Sequence, residues 1–307
     1  MISWTHNTWN PWVGCDKVAP ECAKCYIGRE IRKQTDWQGD GKPRQAWGEV
    51  YLTKTWNDPY KWQKELEGTD NAKRIFTCSL SDFFHAKVDS RKLDSTLKQH
   101  LIAGDKGGLY HTHWRGAAWQ VIKDTPNLIY LILTKRPERI MKCLPPDWGE
   151  GYPNVWLGTS VGTKQRLKNI DALREVPVHP EAVRFISAEP LLEDISEEIN
   201  LDKIGWLIVG GESGSNPEYL WDAKAKWQDE LVGEVGRRTM DVAWARRLQR
   251  LAHRAGIPFF FKQVTSGKAG QGEAALGRVY HEFPNPPKGL IWMPEAEIHK
   301  PELVVLG

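Results

Sequence analysis

The apolar positions fall into short blocks, each closed by small or polar residues. They are RIFTCSLSDFF (74–84), LIYLILTKRPE (128–138), VWLGTSVG (155–162), VRFISAEPL (183–191), GWLIVGGESG (205–214) and IPFFFKQV (257–264). Within each block, four to six β-branched or aromatic residues run without strict alternation. That pattern predicts strands buried on both faces, and therefore parallel ones. Between them, DSRKLDSTLKQHLIAG (89–104), RPERIMKCL (136–144), TKQRLKNIDALREV (163–176) and DVAWARRLQRLAHRAG (241–256) repeat apolar residues at helical spacing. The last ends at Gly256 with Pro258 just beyond, a helix stop.

With ISWT (2–5) as the first strand, the series predicts six or seven parallel strands alternating with helices. Two α/β architectures accommodate it: an incomplete (β/α) TIM-like barrel and a doubly wound open sheet. The barrel is the expectation taken forward. No boundary cuts the series, so residues 1–264 are expected to form one domain. Segments 36–60, 105–120 and 214–240, rich in Gly, Trp and charge, are expected to be loop-like insertions. Residues 265–307, with Pro and Gly throughout, are expected to be an extension packed on the barrel.

Either architecture gathers the residues that follow each apolar block at the carboxyl edge of the sheet, where sites form. These are Ser79, Ser81, Asp82 and His85; Thr134, Lys135 and Arg136; Thr159 and Ser160; Ser187 and Glu189; Gly210, Gly211, Glu212 and Ser213; and Lys262 and Gln263. Hydroxyls, carboxylates, cations and backbone N–H groups on one rim suit a zwitterionic or nucleotide-like ligand. Arg238, ahead of TMDVAW, is expected to return to the same rim.

Composition narrows the classes. Of 307 residues, 40% are hydrophobic and 26% charged, which excludes a disordered chain. No apolar run reaches the ~18 residues of a membrane span, and MISWTHNTWN lacks the regions of a signal peptide. A cytoplasmic location is the expectation, the host cytoplasm for a phage-encoded chain. A net charge of +3 and a pI near 8.5 permit a nucleic-acid partner without requiring one. Sixteen tryptophans are the outlier, and most are expected in the core.

The candidate chemistry lies in NPWVGCDKVAPECAKCY (10–26), where Cys15, Cys22 and Cys25 fall within eleven residues in the spacing C-x6-C-x2-C. A reducing compartment disfavours a disulfide. A zinc site would need a fourth ligand, with His6 and Cys78 as candidates. A [4Fe–4S] cluster held by three thiolates keeps one iron open to an outside ligand. Zinc and cluster both stay open on the residues alone. Cys143 lies in a helical stretch and reads as packing. His111 and His113 read as solvent-facing, as do the arginine pairs 237–238 and 246–247.

The stretch NPWVGC…CAKCYI resembles the cluster loop of radical SAM enzymes of the spore photoproduct lyase kind. Across residues 2 to 264 the blocks RIFTCSLSDFFH, LTKRPERI, WLGTSV, FISAEPLL, IVGGESG and IPFFFKQ are similar to a phage and prophage family of three-cysteine proteins. That family is catalogued as a domain of unknown function and is radical SAM-like. The resemblance implies a [4Fe–4S] cluster on Cys15, Cys22 and Cys25 that binds S-adenosylmethionine (SAM). A 5′-deoxyadenosyl radical would then act on nucleic acid or a nucleotide, with an electron donor and a companion protein as expected partners.

By position, Ser79, Ser81 or Asp82 would meet the SAM amine, Lys135 or Arg136 its carboxylate, and Ser160 and Glu189 the ribose. Tyr26 would pack near the adenine, Glu212 would join the cofactor site, and Lys262, Gln263 and Arg238 would meet the substrate. Two departures stand out. The usual loop is C-x3-C-x2-C, and the usual Gly-Gly-Glu near the second strand is here SLSD (79–82), with Gly210-Gly211-Glu212 much later. Two other classes remain: a zinc-stabilised nucleic-acid-binding or accessory protein, and a barrel hydrolase or lyase using Asp82, His85 and Glu189 as acid and base.

Overall fold

Ten strands and five α-helices are resolved in a computed structural model that describes residues 2–28, 46–92, 113–213, 238–267 and 269–294. In chain order, β1 (Asn7–Trp9) is followed by an antiparallel pair, β2 (Trp12–Val13) and β3 (Tyr51–Leu52), and by helix α1 (Asp58–Glu65). Next come β4 (Asn71–Thr77), α2 (Trp114–Asp124), β5 (Leu128–Thr134), α3 (Ile140–Cys143), β6 (Val155–Ser160) and α4 (Lys168–Arg174). Strands β7 (Arg184–Ala188) and β8 (Trp206–Gly210), helix α5 (Val242–Arg254), β9 (Phe259–Gln263) and β10 (Ile291–Trp292) complete the order.

Strands β1, β4, β5, β6, β7, β8 and β9 pair in that sequence, and every ladder is parallel. The order never reverses, so the doubly wound alternative is excluded. Trp4 shows that the sheet curls. Its ring lies 4.7 Å from Phe76 on β4 and 5.9 Å from Trp206 on β8. In a flat sheet those strands would stand about 19 Å apart, four spacings of ~4.8 Å. The result is an open half-barrel with β1 and β9 at its two ends.

The curl gives the sheet an inner and an outer face, and side chains alternate between them. Inward, Phe76, Ile129, Leu131, Trp156, Phe185, Trp206, Ile208 and Phe260 form one apolar cluster. Outward, Ile75, Tyr130, Ile132, Leu157, Ile186 and Leu207 pack under the helices. Gly158 is the small member of the inner layer, because a Cβ there would lie 2.4 Å from the Phe185 ring. Among the described residues nine tryptophans are buried, so packing is the work of most of these, at roughly 1.5–3 kcal/mol for a large buried side chain.

Helix α5 shows the sequence rules at work. Asp241 caps it by accepting from Ala243 N at 2.8 Å, and Gly256 follows its end at φ +69°. Ala245, Leu248 and Ala252 form its buried stripe. The segment after β9 closes the amino-terminal end of the barrel. There β10 pairs with the start of β4, and Phe283 receives the Arg74 guanidinium 3.8 Å from its centroid. Among the described residues, no helix is long and apolar enough to cross a membrane.

Three expectations need correction. The first strand is Asn7–Trp9, not residues 2–5, because Ile2–Thr5 form a turn closed by Thr5 N donating to Ile2 O at 3.2 Å. That turn drops Trp4 into the barrel floor. Residues 114–120 are helix rather than loop: Trp114, Ala117, Ala118, Val121 and Ile122 form a buried stripe that the Trp and Gly content disguised. Segment 36–60 carries β3 and the start of α1. Residues 29–45, 93–112 and 214–237 lie outside the described residues, and with them most of the expected helix 89–104, His111 and most of the insertion 214–240.

Candidate functional site

The inner rows change character toward the carboxyl ends of the strands. Phe76 is followed on the same face by Cys78, Leu131 by Leu133 and Lys135, and Trp156 by Gly158 and Ser160. Phe185 is followed by Ser187 and Glu189, and Phe260 by Lys262. Cys78, Leu133, Lys135, Ser160, Ser187, Glu189 and Lys262 wall a chamber of about 640 Å³ above the aromatic floor, in the range of small-molecule sites. The cysteine loop lies across one side of the chamber, and Cys15, Cys22 and Cys25 all line it.

Polar fasteners hold that loop. The Asn10 side chain accepts from Leu80 N at 2.9 Å and donates to Ser79 Oγ at 3.1 Å. Ser81 Oγ donates to Gly14 O at 2.6 Å, and Tyr26 Oη donates to Ser79 O at 2.7 Å. Gly14, at φ +98°, passes so close to the β3 approach that a Cβ would lie 2.1 Å from Glu49 O. Ser79, Ser81 and Tyr26 therefore reach the chamber wall while their polar atoms tie the loop to the end of β4.

Asp82 is the most committed group. It is buried, and its carboxylate accepts from Thr134 Oγ1 at 2.8 and 2.9 Å, from Lys135 N at 3.1 Å and from Phe84 N at 2.9 Å. Arg136 Nη1 stands 3.3 Å from it. The guanidinium in turn reaches Cys15 Sγ at 3.7 Å and donates to Asp16 O at 3.1 Å. Burial works against the Arg136 charge, but Asp82 and Cys15 outweigh it and raise its pKa above the arginine value. Asp82 thus orients the cation that touches the cysteine loop.

Two further acid–cation pairs surround the chamber, and a third carboxylate there faces a histidine. Glu189 binds Lys262 and also accepts from Gln263 Nε2 at 3.2 Å. Glu212 takes the Arg238 guanidinium and accepts from Arg238 N at 2.8 Å. Asp16 Oδ2 lies 3.0 Å from His85 Nε2, an ion-pair distance without hydrogen-bond alignment. Burial holds His85 below the usual histidine pKa, with Arg136 acting in the same direction. Asp82, His85 and Glu189 do not form one acid–base set. Asp82 is saturated, His85 sits behind the wall, and Glu189 is neutralised by Lys262.

Of the residues anticipated from sequence, Cys15, Cys22, Cys25, Tyr26, Ser79, Ser81, Asp82, Lys135, Arg136, Ser160, Glu189, Glu212 and Lys262 line the chamber. His85, Gln263 and Arg238 stand behind it. Gln263 is fully buried, donating to Gly211 O at 3.0 Å and accepting from Gly270 N at 2.9 Å. Sequence reasoning passed over Asn10, Asp16 and Glu21, although all three lie inside the quoted cysteine stretch.

All five cysteines are free. Burial pushes the Cys15 thiol up to about 12 and the Cys25 thiol up to about 11. Cys78, at φ +62°, is also raised by burial. Lys135 experiences the opposite balance. Its burial disfavours charge, but Cys22, Cys25, Glu21 and Asp82 outweigh it and raise the ammonium pKa. Among the described residues, no three His, Cys, Asp or Glu side chains converge on one point as a single metal ion requires. The thiols border a shared space instead.

Fold and site together define a half-barrel α/β protein that carries a three-cysteine loop at the carboxyl mouth of its sheet. The chain matches, over residues 1–104 and 109–284, the family described as protein of unknown function (DUF5131), and it belongs to that family. No curated protein matches the sequence. Among solved structures, a mutant of spore photoproduct lyase is similar at a TM-score of 0.43 and 12% identity, over 81% of this chain and 74% of that one. A second mutant of spore photoproduct lyase, with dinucleoside spore photoproduct, gives 0.46 and 13% over 81% and 75%.

Proposed function

We propose that the protein is a radical SAM-type iron–sulfur enzyme that modifies or repairs nucleic acid or a nucleotide. One observation carries the reading: three thiols from one loop border a buried chamber beside Lys135 and Arg136. The donor set fits the group. Thiolates are the usual ligands of such clusters, and two fixed cations offset the charge that deprotonated thiols and sulfide bring. Cys15, Cys22 and Cys25 would hold the cluster, and the chamber above the aromatic floor has room for a nucleoside-sized ligand. When bound, a reduced cluster and SAM supply an electron and a carbon-centred radical.

The protein's share is orientation. Arg136, aimed by Asp82, touches the loop at Cys15 and Asp16. The Glu189–Lys262 and Glu212–Arg238 pairs fix the far wall. Trp4, Phe76 and Leu133 present a dry floor against which a radical would be shielded from solvent. A basic balance supports a nucleic-acid or nucleotide substrate, whereas Trp56 of KPRQAWGEVYLTKTW and Trp114, Arg115 and Trp119 of HTHWRGAAW are buried and pack the core instead. An electron donor is required by the chemistry, and a companion protein is a compatible addition.

The test is anaerobic reconstitution with quantification of iron, sulfide and zinc. The expected result is close to four irons per chain with absorption near 400 nm, lost in Cys15→Ala, Cys22→Ala and Cys25→Ala and kept in Cys143→Ala. Stoichiometric zinc without iron or sulfide would instead establish the zinc-stabilised accessory protein.

A further inference from the structure

Helix α5 concentrates positive charge on the outside of the barrel. Its 13 residues, VAWARRLQRLAHR, hold four arginines and no carboxylate. That formal +4 exceeds the +3 of the whole chain, so the basic balance is local rather than spread. Ala245, Leu248 and Ala252 face inward, which leaves Arg246, Arg250 and Arg254 exposed on the opposite side. Positions four apart share a face and stand about 6 Å apart along the axis. Arg247 reaches Asp194 at 2.6 Å, and Arg246 gives one donor to Ala275 O at 3.1 Å. Arg250 and Arg254 have neither a hydrogen bond nor an ion pair among the described residues.

The segment after β9 extends the patch. The Tyr280 ring lies 5.8 Å from that of His253, and the exposed Arg278 guanidinium stands 4.6 Å from the Tyr280 centroid. The carboxylates nearby are already engaged. Glu282 takes His253 Nε2 at 3.0 Å and Phe259 N at 2.9 Å, and Glu273 faces His281 at 3.6 Å. The helix dipole favours a cation in the last turn, which accounts for Arg254, but it does not extend to Arg250 a turn earlier. A row of guanidiniums without free acids beside it is complementary to a row of anions. An anionic bilayer would also need apolar side chains on the exposed face, and in α5 the buried stripe turns them inward. A protein partner would need aromatic or aliphatic anchors at the centre of the patch. The helix face offers cations alone, which matches a phosphate backbone.

We propose that the exposed face of α5, with Arg278 beside it, binds the phosphate backbone of a nucleic acid. The assignment rests on the nucleic-acid arm of the function proposed above and narrows it from nucleotide to polymer. Helix α5 starts four residues after Arg238, whose guanidinium is held by Glu212 of the chamber wall. From Val242 to Arg254 the helix runs about 18 Å along the barrel, away from that wall. A single nucleotide in the chamber does not span this length, whereas a polymer held at the mouth does. Such contacts read charge and not sequence, so they position the polymer while the chamber decides the chemistry.

The test is fluorescence anisotropy of the full chain with a dye-bearing, mixed-sequence DNA duplex of about 20 base pairs, titrated between roughly 50 and 200 mM salt. Affinity of the wild type is expected to fall with a log–log slope of about −3 to −4, close to one phosphate for each exposed arginine. The double variant Arg250→Gln, Arg254→Gln should flatten the slope by about 2 and weaken low-salt binding by roughly tenfold or more. Glutamine matches arginine in helix propensity, so the fold is not the variable. The double variant Lys142→Gln, Lys168→Gln removes the same charge from exposed positions on α3 and α4 and should change neither quantity. A wild-type slope shallower than about −1 overturns the assignment. An unchanged slope in the arginine variant, or an equal loss in the lysine variant, does the same. Tighter binding to phosphatidylserine vesicles than to the duplex overturns it in favour of a membrane surface. Iron content read in parallel separates the proposals: full iron without duplex binding sinks the surface alone and leaves a free nucleotide as substrate, and duplex binding without iron sinks the cluster alone.

Discussion

Asp82→Asn removes one charge and almost no volume, which makes it the sharpest probe of how the chamber is held. In the wild type, both carboxylate oxygens are engaged by Thr134 Oγ1, and Lys135 N, Phe84 N and Arg136 complete the shell. The Asp82 and Arg136 side chains are only 6% and 8% exposed, so neither can turn to water when its partner changes. Breaking a buried pair in this way costs about 3–5 kcal/mol. At about 2–3 °C per kcal/mol for a chain of this size, Asp82→Asn is expected to melt roughly 6–15 °C below the wild type. Calorimetry of Asp82→Asn, Arg136→Met and the double variant checks the cause. The double variant should be less destabilised than the sum of the singles by about 2 kcal/mol, the coupling of contacting groups. An Asp82→Asn protein melting within about 2 °C of the wild type, or single losses that simply add, would refute the pairing argument.

Other outcomes follow from single features. His6 is buried, accepts from Arg74 N through Nδ1 at 2.8 Å and faces Met293 O through Nε2 at 3.1 Å. Burial lowers its pKa from 6.5 to about 4, with Arg74 adding to the effect. The unfolded chain therefore binds the proton first as pH falls. Stability is fully present above pH 6.5 and drops toward pH 4 by up to about 3 kcal/mol. Denaturant titrations across that window should show the drop, and His6→Gln should flatten it. Gly158→Ala places a methyl 2.4 Å from the Phe185 ring and should cost about 1–3 kcal/mol in thermal melts, with recovery in the Gly158→Ala, Phe185→Leu double variant. Because the buried thiols of Cys15 and Cys25 are held near 12 and 11, metal loading at pH 7.5 should release at least these two protons, measurable with an indicator dye. Loading without proton release would contradict their liganding.

The sequence made the half-barrel legible because parallel strands buried on both faces leave uninterrupted apolar blocks, and six of those blocks are β4 to β9. It exposed the rim for the same reason, since a block can turn polar only where its strand leaves the core. The first strand was invisible. Asn7–Trp9 is three residues long, and its neighbour segment ISWT carries the stronger β pattern while serving as a turn. Helix α2 was masked by Gly116 and its tryptophans, whose burial in tertiary contacts overrode local propensity. Pairing within the rim was illegible altogether. Nothing in the spacing of SLSD, TKR and GGES distinguishes a carboxylate saturated by neighbours, as Asp82 is, from one left with a free oxygen, as Glu21 is.

That distinction explains why positions aligned with cofactor contacts by resemblance act here largely as fasteners. A loop that carries three thiols across a chamber has little regular structure of its own to hold it, so its backbone must be satisfied from outside. Ser79, Ser81 and Tyr26 supply those bonds from or to the end of β4, and Asp82 supplies them indirectly by aiming Arg136 at Cys15 and Asp16. Among the carboxylates of the described residues that line the chamber, Glu21 keeps one oxygen without a hydrogen-bond partner. Because the bonds at the end of β4 hold the loop whatever the chamber binds, a substitution at Ser79, Ser81 or Asp82 should loosen the cysteine loop before it alters ligand choice.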